Sequence, residues 1–324
     1  MDAKSHFIFC THNTYHYLCT QKYNPLAIPL NMKLRLSLII LLSTILSIGL
    51  QARNKTLENR IATYAKDKKA TIGVAVLTDR GETIRYNNHI HFPLLSVFKF
   101  HVALAVLDKM DKEGVSLEDT LFVKASQLLP DTYSPLRAKF PDQDLNISLG
   151  ELLKYSIALS DNNACDILID YAGGIRHIHN YVRKLGISKF NLVDTEADMH
   201  ATNNPRRNWS LPSEMVRLLQ IADGKPLFAP RYKNFLWQIM IEAQTGADKL
   251  KAQLPPDVVT GHKTGSSDRN SAGMKIADND AGFIILPNGR KYYIAVFVMD
   301  SYESDKDNAA IIGAISRMVY ESML

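Results

Sequence analysis

The sequence predicts an α/β fold of the α+β sandwich kind: a mainly antiparallel sheet of about five strands built from both chain ends, flanked by helices, with an all-α domain inserted. Two observations carry this. Strand patterns occur only near the two ends, at residues 71–86 and 258–299, and the long segment between them reads as helix after helix. Helical patterns also stand outside the strands, before the first pair and after the last.

In chain order, residues 55–68 repeat apolar side chains at helical spacing, with Leu57, Ile61 and Tyr64 on one side. Residues 71–78 are rich in β-branched and apolar residues, Asp79-Arg80-Gly81 is a turn, and residues 82–86 return as the second strand of a hairpin. Helical patterns then cover 96–112, 149–160, 164–171, 175–185, 212–222 and 230–243. Strands return at 258–263, 282–286 and 292–299, with Pro287-Asn288-Gly289 turning between the last two, and residues 307–323 close with a helix. The sheet domain is therefore assigned to 53–95 and 238–324, and the all-α domain to 96–237. No internal repeat or low-complexity linker interrupts them.

With 46% hydrophobic and 22% charged residues, the 324-residue chain has a globular composition and enough length for a sizeable core. Its formal charge is +5, but residues 1–52 hold Lys4, Lys22, Lys33 and Arg35 against Asp2 alone, and the remainder carries only +2. Without basic blocks interleaved with aromatics, nothing marks a nucleic-acid partner.

That N-terminal excess belongs to a leader. Met32-Lys33-Leu34-Arg35 opens a positive stretch, and the run from Leu36 to Leu50 is broken only by Ser, Thr and Gly. It is shorter than the roughly 20 residues that span a bilayer, so residues 32–52 read as a signal peptide that is cleaved, leaving no stable membrane anchor. Residues 1–31 read as an upstream extension before the true start at Met32. Export directs the chain to the periplasm. Removing the leader also removes Cys10 and Cys19, so Cys165 remains without an internal disulfide partner. It lies in an apolar-periodic stretch and reads as a buried structural thiol.

Three short motifs carry chemistry. In Ser96-Val97-Phe98-Lys99 the serine and lysine are three apart on one helical face, where a base beside the hydroxyl and the exposed N–H groups of a helix start favour a nucleophile. Ser160-Asp161-Asn162 falls between two predicted helices, a position that capping alone would explain. Lys263-Thr264-Gly265 ends a predicted strand. Each is weak by itself. Their order, Ser-x-x-Lys, Ser-Asp-Asn, Lys-Thr-Gly, is a signature of acyl-transfer enzymes that attack β-lactams.

On these motifs the chain resembles a class A serine β-lactamase over essentially its whole mature length, and the resemblance implies that family's β-lactamase/transpeptidase-like fold. It further implies Ser96 as the acylated nucleophile, Lys99 as the group that accepts or relays its proton, and Ser160 as the proton shuttle to the leaving nitrogen. Asn162 would bind the substrate's acylamido side chain, and Lys263 and Thr264 its carboxylate. Gly265 completes the third motif. The N–H groups of Ser96 and Ser266 would form the oxyanion hole, and Tyr133 would stand at the entrance.

Asp194-Thr195-Glu196-Ala197-Asp198-Met199-His200 occupies the place of the family's omega loop, Glu-x-x-Leu-Asn, and puts Glu196 at the position of the deacylation base. Three residues depart from the common pattern: Met199 stands for Leu, His200 for Asn, and Asp194 where most members have an arginine that pins the loop. Thr-Glu-x-x-Met-His resembles an extended-spectrum cephalosporinase subgroup. Either His200 replaces the Asn amide or the loop follows another path.

The expected activity is hydrolysis of penicillins or cephalosporins through an acyl-serine, giving antibiotic resistance. The alternatives are a D,D-peptidase or penicillin-binding protein, which shares the motifs but is not expected to have Glu196, and a β-lactam sensor domain that acylates once. No cofactor is expected. His89-x-His91 and His177-x-His179 lack zinc-ligand spacing, so no metal is expected either. Gly261-His262-Lys263-Thr264 lacks the glycines of a phosphate loop, and no Gly-x-Ser-x-Gly occurs. The partner is a small-molecule β-lactam, and the default state is a monomer. Asp268 and Arg269, just past the third motif, are candidates for shaping recognition.

Overall fold

The structure is a computed structural model and describes residues 30–202 and 204–324. Cys10, Cys19 and nearly all of the expected 1–31 extension lie outside the described residues. The chain divides into two units, Met1–Leu50 and Gln51–Leu324. The first described element is helix α1 (Leu30–Lys66). It begins well before the predicted 55–68 because no proline interrupts the apolar run upstream. Among the described residues no helix is long and apolar enough to cross a membrane.

In the second unit the five-stranded antiparallel sheet is present, drawn from both chain ends. Strands β1 (Thr71–Thr78) and β2 (Thr83–Tyr86) form the hairpin, and β3 (Phe92–Pro93) is a two-residue strand leading towards Ser96. Helix α2 (Lys99–Glu113) follows, then β4 (Thr120–Val123), α3 (Pro135–Lys139) and β5 (Leu145–Ser148). Next come α4 (Leu149–Ala158), α5 (Asn162–Tyr171), α6 (Ile175–Lys184), β6 (Phe190–Asn191), α7 (Glu196–Thr202) and β7 (Trp209–Ser210). Prolines at the first helical position open α8 (Pro212–Gly224) and α9 (Pro230–Ile241), where a missing N–H costs nothing. The chain ends with β8 (Val259–Ser266), β9 (Lys275–Ile285), β10 (Lys291–Ser301) and α10 (Asp305–Met323).

The large sheet runs in the order β2-β1-β10-β9-β8, with β1 against β10 from Thr71↔Met299 to Thr78↔Tyr292. Alternation along β10 divides the core. Ile294, Val296 and Val298 pack with Leu57, Ile61, Ile312 and Ile315, the apolar faces of α1 and α10. Tyr293, Ala295 and Phe297 face the other way and join Phe92, Phe100 and the helical segment in one cluster. Because both faces are covered, β1 and β10 read as nearly continuous apolar runs. Each fully buried Leu, Ile, Val or Phe contributes about 1.5–3 kcal/mol.

The short strands β3, β7 and β6 form a small sheet, with Phe92 and Phe190 each opposite Ser210. It ties the approach to Ser96 to the segment that follows α7. Cys165 is free and fully buried. His179 is half-buried: it stacks on Phe190 and its Nδ1 accepts the Leu192 N–H at 3.2 Å.

Candidate active site

Ser96 does not sit in the first turn of an α-helix. It lies in a 3₁₀ turn, Leu95–Phe98, and α2 begins only at Lys99. The turn is entered through Leu95 at φ 48°, a left-handed conformation unusual for a branched side chain. Such a position costs about 1–3 kcal/mol and persists where its surroundings fix it; here Leu94, Val97 and Phe98 are fully buried around it. Lys99 is fully buried as well. Its Nζ donates to Ser96 Oγ at 3.1 Å, Ser160 O at 2.7 Å and Asn162 Oδ1 at 2.6 Å, and pairs with Glu196 Oε1 at 2.9 Å. A buried ammonium is tolerated only with such a shell.

Between α4 and α5, Asp161 does cap the second helix, accepting the Ala164 N–H at 2.8 Å and also the Leu136 N–H at 2.6 Å. Its neighbours face the cleft. Ser160 takes φ 61°, and its Oγ accepts from Lys263 Nζ at 2.8 Å. Asn162 Nδ2 donates to Thr132 Oγ1 at 2.8 Å, while its N–H donates to the Tyr133 carbonyl at 3.0 Å. The Tyr133 ring is exposed.

Lys263 is buried in the edge strand β8, and burial, with the charge of Lys99 second, holds its pKa well below the ordinary lysine value. The Ser267 N–H donates to Ala277 O at 3.0 Å, which fixes the phase of the β8–β9 ladder. By alternation Gly265 bonds inward to β9, whereas Thr264 and Ser266 turn their backbone groups off the sheet edge. Lys263 Nζ accordingly reaches the outward Thr264 carbonyl at 2.8 Å, and the Ser266 N–H is left on the open side. Gly265 is required by proximity: a Cβ there would stand 2.5 Å from Leu94 O and 3.1 Å from Ser96 N. Asn279 Nδ2 donates to the Pro93 carbonyl at 2.6 Å, tying the same segment to β9. Behind the strand, Asp278 accepts from Ser266 Oγ at 3.0 Å and Lys249 Nζ at 2.5 Å.

Glu196 is the first residue of α7 and is nearly buried. Its Oε1 accepts from Ser96 Oγ at 3.3 Å. The loop before it is held by Asp166 and Asn208, which sequence reasoning did not single out. Asp166 accepts the Glu196 and Ala197 N–H groups at 2.8 and 2.9 Å. Fully buried Asn208 accepts from the Val193 and Asp194 N–H groups and donates to Asp194 O. Asp194, standing where the family pattern has an arginine, pairs with Arg207 at 2.8 Å. Asp166 was findable, since it lies one helical turn from Asn162 on the same face; Asn208, 46 positions beyond Asn162 in the chain, gave no local signal.

His200 is exposed, lines the cleft, and makes no hydrogen bond among the described residues. Arg269 lines the cleft, and its guanidinium donates to Glu303 O at 2.7 Å and Asp305 Oδ1 at 2.6 Å. The cleft has a volume of about 640 Å³ and runs from Thr132 and Asn162 past Glu196 to Ser266 and Asp268.

A serine beside a buried lysine and a carboxylate, facing an outward N–H on a sheet edge, defines an acyl-transfer enzyme with a serine nucleophile. Residues 55–323 match the β-lactamase enzyme family. A β-lactamase of Bacteroides uniformis is 61% identical over 295 residues, covering 90% of this chain and all of that protein. The extended-spectrum β-lactamase PER-1 of Pseudomonas aeruginosa is 34% identical, covering 90% of this chain and 96% of that one. The crystal structure of a representative class A β-lactamase from Bacteroides cellulosilyticus superposes with a TM-score of 0.82 at 62% identity, covering 84% of this chain and 98% of that one. The chain belongs to the β-lactamase enzyme family and is a class A serine β-lactamase.

Proposed function

We propose that this enzyme opens the β-lactam ring through an acyl-Ser96 intermediate that water, activated by Glu196, then releases. Ser96 Oγ attacks the lactam carbonyl and gives its proton to the Lys99/Glu196 pair. The Ser96 and Ser266 N–H groups receive the developing oxyanion. The C–N bond breaks, and the nitrogen takes a proton through Ser160, whose hydroxyl rests on Lys263. Glu196 next takes a proton from the attacking water, the ester C–O bond breaks, and Ser96 Oγ recovers a proton. Asn162, Tyr133 and His200 would meet the substrate's side chain, and Lys263, Thr264 and Gly265 its carboxylate. The product is an inactivated antibiotic, and the cellular outcome is resistance.

The observation that carries this reading is the 3.3 Å contact between Ser96 Oγ and Glu196 Oε1. A penicillin-binding protein or a sensor stalls as its β-lactam acyl-enzyme, whereas a carboxylate beside the nucleophile serves release. Met199, His200 and the likeness to PER-1 support a leaning towards cephalosporins. The leader pattern at 32–52 supports export with cleavage to the periplasm, and no interface signal speaks against a monomer.

The test is steady-state hydrolysis of a chromogenic cephalosporin with intact-protein mass spectrometry on the same sample. Many turnovers with a short-lived adduct on Ser96 are expected. A single stoichiometric burst and a lasting adduct would overturn the reading in favour of a penicillin-binding protein or sensor.

A further inference from the structure

On the far side of the sheet domain, between the β1–β2 hairpin and α8, lies a second groove of about 440 Å³. Three cations line it: Arg85 from the edge strand β2, Arg217 from α8 and Lys225 from the end of α8. Among the described residues none of these three side chains has an ion pair or a hydrogen bond, unlike Arg290, which pairs with Asp79, and Arg317, which pairs with Glu321. The one acid in the lining, Glu214, makes no ion pair with them; its carboxylate accepts the Ser188 N–H at 2.8 Å. Three positive charges against one negative therefore converge on a chain whose remainder after residue 52 carries only +2.

The groove is not purely polar. Leu77, Val216 and Ile221 form part of its wall. A ligand that satisfies both features carries several acid groups around an apolar body. The backbone adds a donor, since the Thr78 N–H bonds to Glu82 O at 3.0 Å and so sets the β1–β2 ladder with Thr83 turned outward from the edge.

We propose that this groove is a binding site, separate from the catalytic cleft, for a small organic polyacid with an apolar core. The guanidinium groups of Arg85 and Arg217 grip carboxylates in fork geometry and Lys225 adds a point charge. Because all three cations are exposed, the attraction is screened by salt.

The probe is benzene-1,3,5-tricarboxylate, titrated calorimetrically into the full-length enzyme at low and raised ionic strength, beside inorganic phosphate. Expected are saturable binding that weakens with salt, a clear preference for the tricarboxylate over phosphate, and no competition with β-lactam hydrolysis. The triple variant Arg85→Gln/Arg217→Gln/Lys225→Gln should bind about tenfold more weakly or worse, with unchanged thermal unfolding and hydrolysis. Unchanged affinity in the variant overturns the proposal. So does binding that competes with hydrolysis, which places the probe at Lys263, and so does equal binding of phosphate, which removes the apolar wall from the account.

Discussion

Asp166 holds Glu196 by its main chain: the Glu196 N–H donates to Asp166 Oδ1 at 2.8 Å, and the next N–H in the chain donates to Oδ2 at 2.9 Å. The first turn of α7 thus rests on a half-buried carboxyl group in α5. Burial pushes that carboxyl up to about 7, against the two N–H donors that favour its ionised form. Unfolding returns it to an ordinary value near 3.8. Between those limits the folded chain holds a proton that the unfolded chain has lost. Stability from this group therefore falls as pH rises through the window and levels off above about 7. Urea midpoints measured at about pH 5 and about pH 8 should show that fall in the wild type and a shallower one in Asp166→Asn. Identical pH slopes would refute it.

Replacing Glu196 by Gln keeps the shape of the site and removes the base. Acylation is expected to survive while release slows by roughly 10²–10⁴-fold, so the covalent adduct should accumulate in a mass spectrum after brief mixing with a cephalosporin. A variant that turns over like the wild type would remove Glu196 from the mechanism.

Asn208→Ala strips partners from two N–H groups and one carbonyl in the loop before α7. Each orphaned buried group costs about 1–3 kcal/mol, discounted where water reaches the relaxed loop. A drop in melting temperature with a larger loss in kcat than in acylation rate is expected. Unaltered stability would mean that the Asp194–Arg207 pair suffices to hold the loop.

Gly265→Ala places a methyl group against the Leu94 carbonyl and the Ser96 N–H. Backbone must move on one side, and a displacement of about 1 Å at a reacting group costs on the order of 10²-fold in rate. kcat/KM should fall by that order although Lys263 and Ser96 are both intact. Near-wild-type kinetics would show that β8 yields without disturbing the nucleophile.

Much of the fold was legible because its strands near the chain ends are apolar or β-branched. Residues 71–78 coincide with β1 to the residue. Only the last third of β9 was visible, since Lys275–Ala281 looks polar; its Asp278 and Asp280 are buried against Lys249 and His262, partners distant in the chain. The two-residue strands β3, β6 and β7 exist only through one another and leave no periodicity to read. In the site, the motif residues announced themselves by spacing. What holds them did not, because Asn208, Arg207 and Asn279 act through backbone groups or charges brought close only by folding.

The pairing of β1 with β10 sets a limit on how the chain comes together. Thr71 meets Met299, so the middle of the sheet joins segments more than two hundred residues apart. A chain threaded from its N-terminus carries β1, apolar on both faces, paired only with β2 until nearly the last helix has emerged. Topology of this kind slows folding and lengthens the time such strands stand open to wrong partners. Shortening the chain before β10 would remove the central neighbour of both β1 and β9, leaving the nucleophile and the third motif without a common floor.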